Sequence, residues 1–441
     1  MVTYNVIGEI GRGGFGVVEE VETKKGQKFA MKTLVYPNNA SDTNKADLRA
    51  CFEREVKYQG TIDHRHVVPI VAKNLKDDPP WFVMPLAEGS LQKELRDDRT
   101  LGGDPKTAIF DLLAGLEEVH RLGYKHRDLS PGNVLRFRDG DGVTYYAISD
   151  FGLMSPQAGV TTTLTDTNVA GGTLPYRAPE CATSFRRATG LADIYSVGAI
   201  LHDIFGTGGR IPHAELKANG PIGEVIAKCT KTNPRRRYKN VQELREVLYD
   251  VLHSDDLKFE SDEDSHYGKL LKDNEKLSDD QWDELFAHID RQLDSRKSTQ
   301  SLISAIRTTH VEGLLNSAPD LFHALGMEYS DFASKYSFNF DFCDVIATIS
   351  QIFYDNGEID LQANTALAML ELGTSHNRWF VERKFIAMAS PDISDELAQR
   401  IVTEIAVRDL DIKRSLRNLR NSITVEDDAL HPKIDQLGEE A

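Results

Sequence analysis

The chain has 441 residues, 40% of them hydrophobic and 27% charged, and a formal net charge of −17. That length implies two domains, and the ordinary apolar fraction is enough for a sizeable core. No stretch approaches the ~20 apolar residues of a membrane span, and a general nucleic-acid-binding surface is not expected on so acidic a chain.

The start, Met1-Val2-Thr3-Tyr4-Asn5, lacks a basic stretch followed by an apolar run, so no leader is expected. Cys51, Cys181, Cys229 and Cys343 are far apart with no CxxC pair. This argues against a zinc site or a disulfide framework and for a reducing, cytoplasmic setting.

Charge divides the chain. Residues 1–255 hold 33 Lys+Arg and 33 Asp+Glu, whereas 256–441 hold 19 and 36. The whole excess lies in the second part, which sets a boundary near 255–278. A well-solvated acidic domain accounts for the excess; the sharper reading is a dock for a basic partner.

In chain order, Tyr4–Ile10, Val17–Thr23, Gln27–Leu34, Val67–Asn74 and Trp81–Pro85 read as short strands separated by glycine and charged turns. One helix, about Lys45–Gln59, interrupts them. From Asp104 the pattern turns helical, with Ile109, Leu112, Leu113, Leu116 and Val119 at helical spacing up to Gly123. Asn133–Phe137 and Tyr145–Ser149 read as strands, and Ala192–Phe205, Pro221–Thr232 and Val241–His253 as helices.

Residues 256–277, rich in charge and poor in apolar side chains, read as an acidic linker. Ser278-Asp279-Asp280-Gln281 has the form of a capping box opening a helix to about Leu293. The rest, 278–441, looks wholly helical. Phe342, Val345, Ile346, Ile349, Ile352 and Phe353 form one stripe; Leu361, Ala366, Leu367, Leu370 and Leu372 form another, ending at Gly373; Leu397, Ile401, Val402 and Ile405 form a third. A HEAT-like array of helical pairs is one expectation for this part, although no repeat signature is visible.

Several segments carry chemistry. Gly11-Arg12-Gly13-Gly14-Phe15-Gly16-Val17-Val18 lies between two predicted strands rather than opening a helix. Its glycines would let the backbone fold over phosphates. Ala30-Met31-Lys32 follows 14 residues after Val18, and Glu53 and Glu55 lie on different faces of the next helix. Lys125-His126-Arg127-Asp128-Leu129-Ser130-Pro131-Gly132-Asn133 places an Asp five residues before an Asn, and Asp150-Phe151-Gly152 follows 17 residues later. Gly172-Thr173-Leu174-Pro175-Tyr176-Arg177-Ala178-Pro179-Glu180 comes next.

In this order and at these spacings, residues 1–255 resemble a eukaryotic-like serine/threonine protein kinase domain of the kind also found in bacteria. The resemblance implies an α+β, two-lobed fold, with a small β-rich lobe before a helical one, followed here by an all-α domain that would recruit a substrate, sense a signal or restrain the kinase. It implies ATP and Mg²⁺ as cofactors and protein hydroxyls as acceptors, with Thr173 favouring Ser and Thr over Tyr.

By the same resemblance, Asp128 orients the acceptor hydroxyl and takes its proton. Lys32, paired with Glu55, holds the α- and β-phosphates, and Asn133 and Asp150 hold magnesium. Gly11, Gly13, Gly16, Val18 and Ala30 would enclose the nucleotide. Met84 would stand at the back of the cleft, with Pro85 offering its carbonyl and Ala87 its N–H to the adenine; Pro85 has no N–H, but that position needs only an acceptor. Glu180 would pair with Arg237, and Asp193 would brace the catalytic loop.

One position departs from the family. Ser130 stands where Ser/Thr kinases carry a lysine that touches the γ-phosphate, and Gly132 stands where tyrosine kinases carry an arginine. A pseudokinase or nucleotide-gated scaffold is therefore the alternative reading. A small-molecule kinase would lack the Gly172–Glu180 string. Arg127, just before Asp128, implies a switch by phosphate in the activation segment, where Thr161, Thr162, Thr163, Thr165 and Thr167 crowd together.

Overall fold

The computed structural model describes residues 3–13, 16–38, 41–140, 142–151, 174–184, 189–253, 259, 261–274, 276–291, 296–376, 378–423, 425 and 428–439. The chain divides into two compact units, Met1–Leu252 and His253–Ala441.

The first unit begins with a five-stranded antiparallel sheet in the order β1-β2-β3-β5-β4, made of β1 (Tyr4–Gly13), β2 (Gly16–Thr23), β3 (Lys28–Leu34), β4 (Ala72–Asn74) and β5 (Trp81–Pro85). The first residue of β2 comes very close to β3. A Cβ on Gly16 would lie 2.5 Å from the Thr33 carbonyl oxygen, so only glycine fits there. The expected strand Val67–Asn74 is shorter than predicted: only Ala72–Asn74 pairs with β5. Pro69 has no N–H to give to a ladder, and Val67 bridges Ile148 instead.

Helix α1 (Asp42–Gln59) starts at Ser41, whose hydroxyl accepts the Asn44 N–H. Leu48, Phe52, Glu55, Val56 and Gln59 form its buried face. Phe52 and Val56 join Ala30, Leu34, Phe82 and Met84 in the core beneath the sheet.

A second, three-stranded sheet of β6 (Gly89–Ser90), β7 (Val134–Arg138) and β8 (Thr144–Ile148) follows. Around it stand the helices α2 (Leu91–Asp97), α3 (Lys106–Arg121), α4 (Pro179–Ser184), α5 (Gly190–Phe205), α6 (Gly220–Cys229) and α7 (Val241–Leu252). α3 and α5 are buried over most of their length.

The second unit is all helix among its described residues. The segment expected as an acidic linker contains α8 (Asp262–Asp273), with Asp264, Tyr267, Gly268 and Leu271 buried. Three acidic residues in its first turn sit where the helix dipole favours them, and the Ser261 hydroxyl caps it. Charge-rich composition hid a single apolar face.

The capping box at Ser278 forms. Gln281 N–H donates to Ser278 Oγ at 3.3 Å and Ser278 N–H to Gln281 Oε1 at 2.9 Å, opening α9 (Asp279–Arg291). Then come α10 (Arg296–Ser304), α11 (Thr308–Ser317), α12 (Pro319–Lys335), α13 (Phe340–Asn356), α14 (Ile359–His376), α15 (Trp379–Met388), α16 (Asp395–Val407), α17 (Ile412–Ser422) and α18 (Pro432–Glu439).

These helices do not stack as a one-dimensional array of pairs. α14 is a hub that packs against α12, α13, α15, α16 and α17, and it is buried almost all round. Gly373 does not end it, as the pattern suggested. The helix runs on to His376, because Gly373 is where the α15 backbone comes close: a Cβ there would lie 3.0 Å from the Glu382 nitrogen.

Among the described residues, no helix is long and apolar enough to cross a membrane.

Candidate active site

Twelve of the residues singled out from the sequence line one cleft of about 530 Å³ in the first unit: Gly11, Gly13, Gly16, Val18, Ala30, Lys32, Glu55, Met84, Pro85, Ala87, Asn133 and Asp150; Arg127, Asp128 and Ser130 are not in its lining. A cavity of about 690 Å³ lies by Glu94, Asp97 and Asp98, but Lys32, Asp128, Asn133 and Asp150 do not line it.

The sheet register builds the apolar part of the cleft. Ala30 pairs with Met84 across β3 and β5, and both are buried. Gly14 and Phe15 lie outside the described residues.

Lys32 is the next residue on β3 to point under the sheet. Its Nζ lies 2.6 Å from Glu55 Oε1 and 3.1 Å from Asp150 Oδ1. Glu53, the other candidate on α1, faces outward and binds Arg49. Burial works against the Lys32 charge, but Asp150 and Glu55 outweigh it and raise the ammonium pKa. Burial pushes the Glu55 carboxyl up to about 7, with Lys32 pulling the other way. Two carboxylates on one ammonium keep that charge in place.

The segment Lys125–Asn133 is held from below. Asp193 on α5 is fully buried. Its Oδ2 accepts the His126 N–H at 3.0 Å and its Oδ1 the Arg127 N–H at 2.7 Å, and His120 Nε2 is 2.8 Å from Oδ2. Burial alone would raise its pKa, yet His120, His126 and the Arg127 amide hold it below the usual range. The grip matters because Arg127 has φ +65°, a left-handed conformation costly for a residue with a Cβ. Asp150 has φ +64°, and His126 Nε2, 3.0 Å from the Ser149 carbonyl oxygen, ties the two segments together.

Asn133 donates its Nδ2 hydrogen to the Asp128 carbonyl at 2.8 Å, which leaves the amide Oδ1 as its acceptor. With the Asp150 carboxylate, 37% exposed in the cleft, this is an oxygen-donor set suited to a hard divalent cation such as Mg²⁺. The glycine-lined cleft with a buried lysine suits a polyphosphate.

Ser130 is buried at the end of this segment and brings no positive charge. The residue that sequence reasoning missed is Arg177: its Nη2 lies 3.6 Å from Asp128 Oδ1. The lack of a cation at position 130 was the signal to look for one elsewhere.

The expected Glu180–Arg237 pair is present. The guanidinium makes two bonds to the carboxylate, at 2.7 and 2.8 Å. Arg127, the expected phosphate binder, is buried. Thr161, Thr162, Thr163, Thr165, Thr167 and Thr173 lie outside the described residues, as does Gly152.

Comparison with known proteins agrees with this geometry. The family model described as "Protein kinase domain" matches residues 4–261. The chain is 34% identical to the serine/threonine-protein kinase AfsK of Streptomyces griseus over 51% of this chain and 26% of that protein. It is 29% identical to the probable serine/threonine-protein kinase PkwA of Thermomonospora curvata over 56% of this chain and 31% of that protein. A mitogen-activated protein kinase homolog of Petunia hybrida is 32% identical over 48% of this chain and 54% of its own length. The aligned part thus spans about a quarter of AfsK. A family pattern that covers more than half of the chain, and begins on the first strand of the sheet roofing this cleft, makes the chain a member of the protein kinase family.

Proposed function

We propose that the chain is an ATP- and Mg²⁺-dependent serine/threonine protein kinase. The observation that carries the reading is the intact Lys32–Glu55–Asp150 cluster in a cleft that Asn133 also lines, with the Asn133 amide bonded to the Asp128 carbonyl. Bound ATP would supply the phosphoryl group. Lys32 would fix the phosphates in the cleft, held in position by Glu55. Asn133 and Asp150 would hold the metal, and Asp128 would orient the acceptor hydroxyl and take its proton. Pro85 and Ala87 would hold the adenine.

The domain reading goes with it: a kinase domain over 1–255, and a helical domain beyond 278 that recruits a protein substrate, reads a signal or restrains the kinase. The acidic charge of that domain favours a basic partner. One or more of Thr161, Thr162, Thr163, Thr165 and Thr167 would be autophosphorylated, with Arg127 as the phosphate's partner.

The test is γ-phosphate transfer from ATP by the purified chain, with Asp128→Ala as control, followed by phosphosite mapping. Phosphate on Ser or Thr that disappears in the variant supports the reading. ATP binding without transfer to itself or to a generic acceptor would favour the pseudokinase scaffold suggested by Ser130.

A further inference from the structure

The catalytic segment carries no cation at position 130, yet a cation stands against its aspartate. Arg177 lies between the turn Leu174–Tyr176 and α4. Its Nη2 is 3.6 Å from Asp128 Oδ1, with the Arg177 side chain 28% exposed and that of Asp128 16%.

The backbone at Arg177 is anchored on both sides. Its N–H donates to the Leu174 carbonyl at 3.2 Å, and its own carbonyl oxygen is 2.9 Å from His213 Nδ1. Its Nε is buried and has no hydrogen-bond partner among the described residues. A guanidinium has five N–H donors in a planar fork that fits phosphate oxygens. Among the described residues, that fork makes one ion-pair contact, and its Nε is without a partner.

We propose that Arg177 supplies, from outside the catalytic loop, the positive charge to the transferring phosphoryl group that Ser130 cannot. The proposal rests on the kinase reading above. An acceptor hydroxyl held by Asp128 sits about 3 Å from its carboxylate, and phosphoryl transfer spreads negative charge over oxygens in line with that hydroxyl. A cation already against the same carboxylate is within one side-chain movement of those oxygens. It also explains how position 130 can hold a small, buried serine while the rest of the machinery is intact.

The experiment uses the full chain with Arg177→Ala, Arg177→Lys, Ser130→Lys and the double variant Ser130→Lys/Arg177→Ala. Thermal unfolding checks that each is folded. For Arg177→Ala, kcat should fall roughly 10²–10³-fold, with the KM for ATP changed less than about threefold, as expected when an interaction is made only in the transition state.

A second readout needs no turnover. With Mg²⁺ present, aluminium fluoride should tighten ADP binding in the parent, since it mimics the phosphoryl in flight. Arg177→Ala should lose that gain while binding ADP alone as before. Ser130→Lys/Arg177→Ala should recover at least about tenfold in kcat, and Arg177→Lys should be intermediate.

A kcat for Arg177→Ala within about threefold of the parent, or above it, overturns the proposal; a rise would make Arg177 a restraint on Asp128. So does a loss that Ser130→Lys does not rescue, with the aluminium fluoride gain intact, which would mark a structural role. A parent chain that binds ATP but transfers no phosphate fails differently: the kinase reading falls, and this proposal with it.

Discussion

Lys32 Nζ and Glu55 Oε1 lie 2.6 Å apart, on a strand and a helix 23 positions apart in the chain, and both side chains are under one-tenth exposed. Neutralising Glu55 leaves the ammonium to Asp150 alone, so it should be drawn toward that carboxylate. Glu55→Gln should therefore lower kcat/KM for ATP by roughly 10–10²-fold, the scale of a misplacement of about 1 Å. Steady-state kinetics with varied ATP would measure it, and an unchanged value would show that the pair does not position the lysine.

Asp193 accepts the backbone N–H groups of His126 and Arg127, just before Asp128, and faces His120. An amide would put a donor against at least one of these partners. Asp193→Asn should leave Arg127 without full support for its positive φ and cost roughly 10²-fold in kcat. ATP affinity, set by other elements, should move little. Paired kinetic and nucleotide-titration measurements would separate the two effects.

Arg237 is fully enclosed, and besides its two bonds to Glu180 it donates to the carbonyls of Leu191 and Lys231. Removing the guanidinium takes the two-point partner from Glu180 and a donor from each of two carbonyls. Arg237→Ala should destabilise the first unit by about 3 kcal/mol, the range for breaking a buried ion pair. Arg237→Lys should recover only part of this, because an ammonium cannot form the two-point contact. Urea unfolding followed by tryptophan fluorescence and circular dichroism would give both values.

Glu382 on α15 is buried and accepts one bond, from Ser422 Oγ at 2.7 Å; its Oε1 has no hydrogen-bond partner among the described residues. Burial pushes its carboxyl up to about 7, with Ser422 opposing, against an unfolded value near 4.3. Between those values the folded state holds more protons than the unfolded. This group's contribution to stability is therefore fully present below about pH 4.3 and is lost as pH rises through 7. Glu382→Gln should stabilise the helical unit at pH 8 by about 1–3 kcal/mol and do almost nothing at pH 4. Urea midpoints at the two pH values would show the difference; equal gains at both would rule out the titration.

Gly373 packs against the backbone and Cγ of the same residue. A methyl group there would meet Glu382 Cγ at 2.8 Å and its nitrogen at 3.0 Å. Alanine has the better helix propensity by about 1 kcal/mol, yet overpacking this crossing should prevail. Gly373→Ala should lower the stability of the helical unit by about 1–2 kcal/mol net, read from urea unfolding. A stabilised variant would mean that α14 and α15 can separate freely.

Much of the site was legible because its chemistry is local in sequence. Asp128, Asn133 and Asp150 are defined by spacing along one stretch, and β5 and the capping box at Ser278 follow from short-range pattern. Helical geometry puts Glu53 and Glu55 on different faces, so that only one can meet Lys32; the choice of Glu55 rested on the family resemblance.

Other features were not legible. The helix Asp262–Asp273 was hidden by its charge, since Tyr267 and Leu271 alone make its apolar stripe. Gly373 looked like a stop because glycine is the usual residue past a helix end, whereas its role is to admit another helix. Arg177 gave no local sign at all.

By itself, then, the sequence determined which groups could do chemistry: a lysine on a strand, an Asp and an Asn five residues apart, a glycine-rich turn, and no cation at position 130. Only the tertiary structure decided which charges meet. Lys32 and Asp150 are 118 positions apart, and Arg177 reaches Asp128 from a different loop. Such pairings depend on how buried faces pack, and residue spacing along a chain carries no record of that distance.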